Sequence, residues 1–201
     1  MMAHWLTLSR LGLAAVFCVG VSLCARPGGL SAGTVVGLVI LGLLEELTDF
    51  LDGFVARKYR LASELGGILD PLADSLARLA IYFALALAGW VTVAVPLVMT
   101  GRDIVVAYSR IVQARVGGHT SARLAGKIKA ALQGAGFPVL VVLAWLGDVW
   151  RPEVVGTVRT ALSGTLVLGT AWSAWAYVRG AWPAARELAR QRSGGTVRDD
   201  R

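Results

Sequence analysis

Six long apolar stretches dominate this sequence of 201 residues. A helix that crosses a bilayer needs about 20 mostly apolar residues, and the stretches meet that requirement at residues 5–25, 32–57, 69–90, 91–115, 128–149 and 155–181. Hydrophobic residues make up 56% of the chain and charged residues only 16%, whereas a soluble domain has about 25% charged residues. The sequence therefore predicts an all-α fold, a polytopic membrane bundle of about six transmembrane helices.

The basic residues are concentrated in alternate connections between these stretches. With the N-terminus inside the cell, the outer connections contain only Arg26 and Arg151, with Arg159 near the start of the sixth stretch. The inner connections and the C-terminal tail contain a larger set: Arg57, Lys58, Arg60, Arg115, Arg123, Lys127, Lys129, Arg186, Arg190, Arg192, Arg198 and Arg201. Cytoplasmic connections of membrane proteins are enriched in Lys and Arg. We therefore expect an integral protein of the cell inner membrane, with both termini in the cytoplasm.

The net charge of +7 fits the same picture. In a soluble protein it would suggest nucleic acid as a partner, but in an apolar chain an anionic lipid leaflet is the better explanation. We expect the lipid bilayer and no nucleic acid as a partner. The expected domain organisation is a membrane domain over residues 1–185, followed by a polar, Arg-rich tail over residues 186–201.

Two pairs of aspartates lie close together in the segment DFLDGFVARKYRLASELGGILDPLAD, residues 49–74. Asp49 and Asp52 are spaced i, i+3, and Asp70 and Asp74 are spaced i, i+4, so each pair shares one face of a helix. Carboxylates at membrane depth are costly and usually functional. All four are hard oxygen ligands with no His or Cys nearby in the sequence, which favours Mg²⁺ or Mn²⁺. A pair of such ions is a known arrangement for phosphoryl transfer.

Other residues of this segment suit a phosphate ligand. Gly53 and Gly66 would let a nucleotide approach the backbone closely, and Arg57 offers a planar fork to a diphosphate. A proton or cation transporter is the alternative class of function, because intramembrane carboxylates also mark ion pathways. That alternative explains the aspartates but not Gly53, Arg57 or the fixed spacing.

The segment resembles the signature of the CDP-alcohol phosphatidyltransferase family, D-x2-D-G-x2-A-R-x8-G-x3-D-x3-D. All eight fixed positions match without a gap: Asp49, Asp52, Gly53, Ala56, Arg57, Gly66, Asp70 and Asp74. A chance match has a probability on the order of 10⁻¹⁰ per starting position at ordinary residue frequencies. The resemblance implies a transferase of phospholipid biosynthesis that moves the phosphatidyl group of CDP-diacylglycerol onto an alcohol.

The resemblance also implies a role for each matching residue. Two divalent ions would be held by the four aspartates, with Asp49 and Asp70 bridging both, Asp52 on the first and Asp74 on the second. Asp74 would also be the catalytic base for the acceptor hydroxyl. The donor CDP-diacylglycerol would be bound by Gly53, Ala56, Arg57, Ser63 and Gly66. Family members are commonly homodimers, so a homodimer is expected here.

The acceptor alcohol is predicted from a different part of the chain. Residues 124–134, LAGKIKAALQG, resemble the corresponding stretch of the family's phosphatidylglycerophosphate synthases. Nearby cations could bind an acceptor phosphate, and these are Arg110, Arg123, Lys127 and Lys129. The expected acceptor is therefore sn-glycerol 3-phosphate. Phosphatidylglycerol, as in the cardiolipin synthases, and an inositol phosphate remain open, because Ser75 stands where the synthases often have Lys.

Some charged residues in the apolar stretches have a structural explanation. Glu45 and Glu46 precede the signature, and we expect one of them to pair with Arg10 or Arg78. Arg102 and Asp103 interrupt the fourth stretch, and we expect them to form an ion pair rather than to contact substrate.

Overall fold

The computed structural model describes most of the chain. The backbone is described over residues 2–25, 30–59, 64–116 and 123–195. Side chains are described over residues 9–25, 30–48, 71–116 and 124–191. Within the described residues the chain forms six α-helices and no β-strand, which confirms the predicted all-α class. The helices are α1 Met2–Cys24, α2 Ala32–Tyr59, α3 Glu64–Leu87, α4 Ala94–Arg115, α5 Arg123–Val149 and α6 Pro152–Gly195.

Each predicted apolar stretch lies on one of these helices. The bounds differ by a few residues, except that α6 has 44 residues and continues to Gly195, through most of the segment predicted as a polar tail. By length and composition, two segments of the described residues are apolar enough to cross a bilayer, Leu124–Val149 and Pro152–Gln191. A shorter apolar segment, Ser9–Cys24, lies in α1.

Local sequence signals set the ends of two helices. Ser31 caps α2, because its Oγ accepts a hydrogen bond of 3.1 Å from the backbone N–H three residues later, the usual role of an N-cap serine. At the end of α3, Gly89 has φ 74°. The N–H of Trp90 donates to the carbonyl of Leu85, and that of Gly89 donates to Ala86. This is a Schellman motif, in which glycine takes the left-handed conformation without steric cost.

The chain divides into two compact units. Unit 1 comprises residues 1–96 and 133–166, and in it α1 packs against α2 and α3. One face of α1 is buried at Arg10, Ala14, Phe17 and Val21, which is the spacing of an amphipathic helix. Phe17 meets Phe137 of α5 edge to face, with ring centroids 5.8 Å apart. Unit 1 therefore has an aromatic centre, with the buried cation Arg10 at one side of it along α1.

Unit 2 comprises residues 97–132 and 167–201. Its buried residues come from α4, the first part of α5 and the last part of α6. Several of them are polar or charged: Ser109, Gln113, Lys129, Thr170 and Ser173. This unit therefore encloses a polar interior, and each of these groups needs a hydrogen-bond or charge partner to offset its burial.

The aromatic centre of unit 1 requires a glycine on α2. A Cβ added at Gly42 would lie 3.1 Å from Cζ of Phe137 and closer still to Cε2, and Phe137 is fully buried. We predict that Gly42→Ala lowers the free energy of unfolding by about 1–3 kcal/mol, the usual cost of overpacking a core. Thermal unfolding of the purified protein, followed by near-UV circular dichroism, measures the change.

Gly37→Ala is the matched control on the same helix. A Cβ at Gly37 would meet nothing within 4 Å, so this variant should gain up to about 1 kcal/mol from helix propensity. Equal shifts in the two variants would contradict the assigned contact between Gly42 and Phe137.

Candidate active site

The four predicted metal ligands lie on two helices. Asp49 and Asp52 are on α2, and Asp70 and Asp74 are on α3, so each pair has the helical spacing that the sequence predicted. The side chains of residues 49–70 lie outside the described part of the structure. Among the described side chains, no group of three or more His, Cys, Asp or Glu residues is arranged to hold a metal ion. The convergence of the four carboxylates stays a prediction.

The predicted donor-binding residues also lie outside the described side chains. Gly53, Ala56 and Arg57 are in the last turns of α2, and Gly66 is in the first turn of α3. Ser63 is outside the described residues altogether. Their contacts with CDP-diacylglycerol stay predictions.

Asp74 is the one predicted ligand whose surroundings are described, and it lies beside two buried arginines. Its Oδ1 is 3.3 Å from Nη2 of Arg78, one turn later on α3, and 3.8 Å from Nη1 of Arg10 on α1. The side chains of both arginines are almost fully buried, whereas that of Asp74 is 32% exposed. The carboxylate is therefore held by cations on its inner side and is accessible from outside.

A second carboxylate meets the same arginine. Nη1 of Arg78 donates a hydrogen bond of 2.8 Å to Oε1 of Glu46 on α2, which confirms that one of the two acids before the signature pairs with an arginine. Its neighbour Glu45 is buried, and Oε2 of Glu45 has no hydrogen-bond partner in the described part of the chain. The ion pair joins the α2 position one turn before Asp49 to the α3 position one turn after Asp74. The contact therefore brings α2 and α3 together one turn from the signature positions Asp49 and Asp74.

Unit 2 contains a buried ionic cluster, formed by Arg102, Asp103, Lys129, Ser173 and Tyr177. Nη1 of Arg102 is 2.7 Å from Oδ1 of Asp103, so the expected ion pair is confirmed. Nη2 of Arg102 donates to Ser173 Oγ at 3.3 Å, and the guanidinium lies 5.3 Å from the ring centroid of Tyr177. Nζ of Lys129 is 3.8 Å from the same Asp103 oxygen.

Two members of this cluster were not predicted from the sequence. Ser173 and Tyr177 are one turn apart on α6 and are both buried. Their only signal is a pair of hydroxyl-bearing residues at i, i+4 on an apolar helix. That spacing places them on one face, but it does not identify Arg102 as their partner.

The predicted acceptor-binding cations differ in exposure, because one of them belongs to this cluster. Lys129 is only 7% exposed and lies beside Asp103, whereas Arg110 and Lys127 are exposed. The side chain of Arg123 lies outside the described residues. Of the four, Arg110 and Lys127 are therefore the described ones that a soluble anion could reach directly, and acceptor binding by any of the four stays a prediction.

The ligand chemistry fits a hard divalent cation. The four carboxylates offer oxygen donors alone, which suit Mg²⁺ and Mn²⁺. Both arginine contacts of Asp74 are made through Oδ1, and about a third of this side chain remains exposed, 32%. Asp74 can therefore reach an ion while the arginines hold it.

Comparison with known proteins decides the family. A sequence profile described as CDP-alcohol phosphatidyltransferase matches residues 1–180. The chain belongs to the CDP-alcohol phosphatidyltransferase family. The resemblance seen in the aspartate signature is thus confirmed, and so is the expectation that the protein is an enzyme.

Curated relatives in this family are about a third identical to the chain over the aligned residues. A protein of Shigella flexneri serotype 5b is 33% identical over 142 residues, which cover 67% of this chain and 72% of the relative. Proteins of Salmonella typhi and Escherichia coli K12 are each 32% identical over the same coverage. All three are named CDP-diacylglycerol--glycerol-3-phosphate 3-phosphatidyltransferase.

The buried ionic cluster gives a stability prediction for this phosphatidyltransferase. Asp103→Asn would remove the carboxylate that the buried Arg102 and Lys129 share, and we expect a loss of about 3–5 kcal/mol in the free energy of unfolding. Lys129→Met should reduce the free energy of unfolding by less, because Asp103 keeps its contact with Arg102 and the methionine fills the space of the lysine methylene groups. Thermal unfolding of the purified variants measures both.

Lys127→Met is the control, since Lys127 is exposed on the same helix. Its unfolding temperature should stay near that of the wild type. A similar loss at positions 103 and 127 would show that the cluster does not stabilise unit 2.

Proposed function

We propose that this protein transfers the phosphatidyl group of CDP-diacylglycerol to sn-glycerol 3-phosphate, which gives phosphatidylglycerophosphate and CMP. The observation that carries the proposal is the match to relatives named for this reaction over 67% of the chain. The complete signature in residues 49–74 agrees with it, as does the resemblance of residues 124–134 to the phosphatidylglycerophosphate synthases.

The reaction needs a base for the acceptor hydroxyl, and we assign that role to Asp74. The hydroxyl oxygen attacks the phosphorus that carries diacylglycerol, the bond from this phosphorus to the CMP oxygen breaks, and the hydroxyl proton passes to the carboxylate. A base must lie within hydrogen-bond reach of the proton that it takes. Asp74 is accessible, and Arg78 and Arg10 fix its inner oxygen, so its position suits this role.

The four signature aspartates would hold two divalent ions, Mg²⁺ or Mn²⁺. Such ions would neutralise the charge that develops on the phosphoryl oxygens and on the departing CMP. The donor head would be bound by Gly53, Ala56, Arg57, Ser63 and Gly66, with the planar fork of the arginine on the diphosphate.

The acceptor phosphate would be bound by exposed cations. Arg110 and Lys127 are exposed on α4 and α5, and Arg123 begins α5. A dianionic phosphate gains charge-assisted hydrogen bonds from such groups, which an uncharged alcohol cannot use in the same way. Lys129 would mainly stabilise the carboxylate of Asp103, which lies 3.8 Å from its Nζ, rather than bind the acceptor.

The proposed setting is the cell inner membrane, with the active site facing the cytoplasm. The alternation of Lys- and Arg-rich connections supports a six-span bundle with both termini inside. α6, with 44 residues, is about 66 Å long at the usual rise, which exceeds the roughly 30 Å bilayer core. Its Arg-rich end would then extend past the cytoplasmic surface. The homodimer and the division into residues 1–185 and 186–201 stay predictions.

A headgroup screen tests the acceptor. Purified protein, Mg²⁺ and CDP-diacylglycerol are incubated with sn-glycerol 3-phosphate, inositol phosphate, phosphatidylglycerol or unphosphorylated glycerol, and the lipid products are identified by mass. We expect phosphatidylglycerophosphate and CMP in equal amounts with glycerol 3-phosphate, and little product with glycerol, because the phosphate supplies the charged contacts. A cardiolipin product without phosphatidylglycerophosphate would reject the proposed acceptor. Ion flux without CMP release would instead favour a transporter.

Lys127→Gln tests the acceptor site within the same assay. It should raise the KM for glycerol 3-phosphate by a factor of about ten or more, since a charge-assisted hydrogen bond contributes on the order of 1.5–3 kcal/mol. The KM for CDP-diacylglycerol is the internal control and should change little. Equal increases in both would indicate that Lys127 anchors the helix to lipid.

Asp74→Asn tests the base. The substitution keeps the shape of the side chain but removes its basicity, so kcat should fall by a factor on the order of 10² or more. The measurement is kcat across a Mg²⁺ titration, with donor binding followed separately. Recovery of a near-normal rate at high Mg²⁺ would show that Asp74 is mainly a metal ligand and would reject its assignment as the base.

A further inference from the structure

The guanidinium of the buried Arg78 contacts two different acids, one through each terminal nitrogen. The residue is 3% exposed. Its Nη1 is 2.8 Å from Oε1 of Glu46 on α2, and its Nη2 is 3.3 Å from Oδ1 of Asp74 on its own helix. A guanidinium is planar and rigid, so displacement of one acid turns the plane and moves the other contact. The position of Glu46 is therefore coupled to that of Asp74.

Arg10 does not provide the same constraint. Its contact with Asp74 Oδ1 is 3.8 Å, which is too long for a hydrogen bond. Arg10 contributes charge to the Asp74 carboxylate, whereas Arg78 also fixes its direction.

The carboxylate of Glu46 also lies against the backbone of α5, at Gly134. A Cβ added at Gly134 would lie 2.6 Å from Cδ and 2.9 Å from Oε1 of Glu46, so a residue with a side chain would push the carboxylate away. The same part of α5 is fixed against α3, because Tyr82 donates a buried hydrogen bond of 2.7 Å to the backbone carbonyl of Gln133. Tyr82 is one turn after Arg78, so α5 cannot shift easily to relieve the contact.

We propose that Gly134 and Glu46 act through Arg78 as positioning residues for Asp74. Gly134 leaves the space in which the Glu46 carboxylate lies. Glu46 holds Nη1 of Arg78 in place, and Nη2 of Arg78 then orients the Asp74 carboxylate. This inference rests on the proposed function only where it assigns a reacting role to Asp74. Gly134 lies in the LAGKIKAALQG stretch, and the chain of contacts gives that glycine a catalytic consequence although it touches no substrate.

The test is Gly134→Ala, which leaves every charged residue in place. A misplacement of about 1 Å in a reacting group can reduce turnover on the order of 10²-fold, so we expect kcat to fall at least tenfold while both substrate KM values stay within twofold. Binding of Mn²⁺ by the substrate-free protein, followed by electron paramagnetic resonance, should weaken as well, because Asp74 is a predicted ligand. Unchanged kcat and unchanged Mn²⁺ binding would overturn the proposal.

Gly164→Ala is the matched control. Gly164 lies in the same unit, and a Cβ there would meet nothing within 4 Å, so kcat and Mn²⁺ binding should equal those of the wild type. Equal losses in both alanine variants would overturn the proposal, because they would reflect glycine replacement in general.

Glu46→Gln provides a second variant should Gly134→Ala fail to fold. It keeps the shape and a carbonyl acceptor for Arg78 but removes the charge, and kcat should again fall with little change in KM. In the double variant, the losses should be less than multiplicative, because both act through one arginine. Multiplicative losses would show independent effects and overturn the coupling.

The Mn²⁺ measurement separates this inference from the proposed function. It needs neither CDP-diacylglycerol nor an acceptor. A wild type that makes no phosphatidylglycerophosphate would reject the proposed acceptor, yet weaker Mn²⁺ binding in Gly134→Ala would still support the positioning role. The converse result, normal phosphatidylglycerophosphate synthesis with the same Mn²⁺ affinity and kcat in all variants, would reject the positioning role alone.

Discussion

The contacts of the buried Arg78 guanidinium with two acids are the interaction on which the described part of the candidate active site depends. A buried cation is strongly unfavourable unless it is paired and hydrogen-bonded, and Arg78 meets that requirement with Glu46 on one side and Asp74 on the other. Removal of either acid would weaken the pairing of this buried charge, and breaking a buried ion pair costs more than the pair contributes to stability. The two helices that carry the aspartate signature, α2 and α3, are connected by the ion pair between Glu46 and Arg78.

Hydropathy was sufficient to locate the six helices, because each one has to present a long apolar surface. It was less informative about where α6 ends. Residues 186–195 are polar and Arg-rich, yet α6 continues to Gly195, because Ala, Arg, Glu and Leu are all good helix formers. The aspartate signature identified the family because eight fixed positions rarely coincide by chance. Local sequence thus predicted the helices and the chemistry of the reaction class.

Contacts between distant parts of the chain were not predictable in the same way. Lys127 and Lys129 are two residues apart, so they lie about 200° apart around the helix, but the sequence does not say which faces the interior. Only the structure shows that Lys129 lies beside Asp103. The contact between Glu46 and Gly134 could not be predicted for the same reason. A glycine in an apolar helix does not indicate which side chain lies against its backbone.

Both units contain an aspartate that pairs with buried cations, but the two aspartates differ in exposure. Each has an aspartate within 4 Å of two cations: Asp74 with Arg10 and Arg78, and Asp103 with Arg102 and Lys129. The side chain of Asp103 is 15% exposed, and its Oδ2 has no hydrogen-bond partner within the described residues, whereas the side chain of Asp74 is 32% exposed. An enclosed carboxylate can only hold its cations together. An accessible carboxylate can also offer an oxygen to an ion or to a proton, and this difference in exposure, rather than the number of charges, distinguishes the candidate reacting group from the structural one.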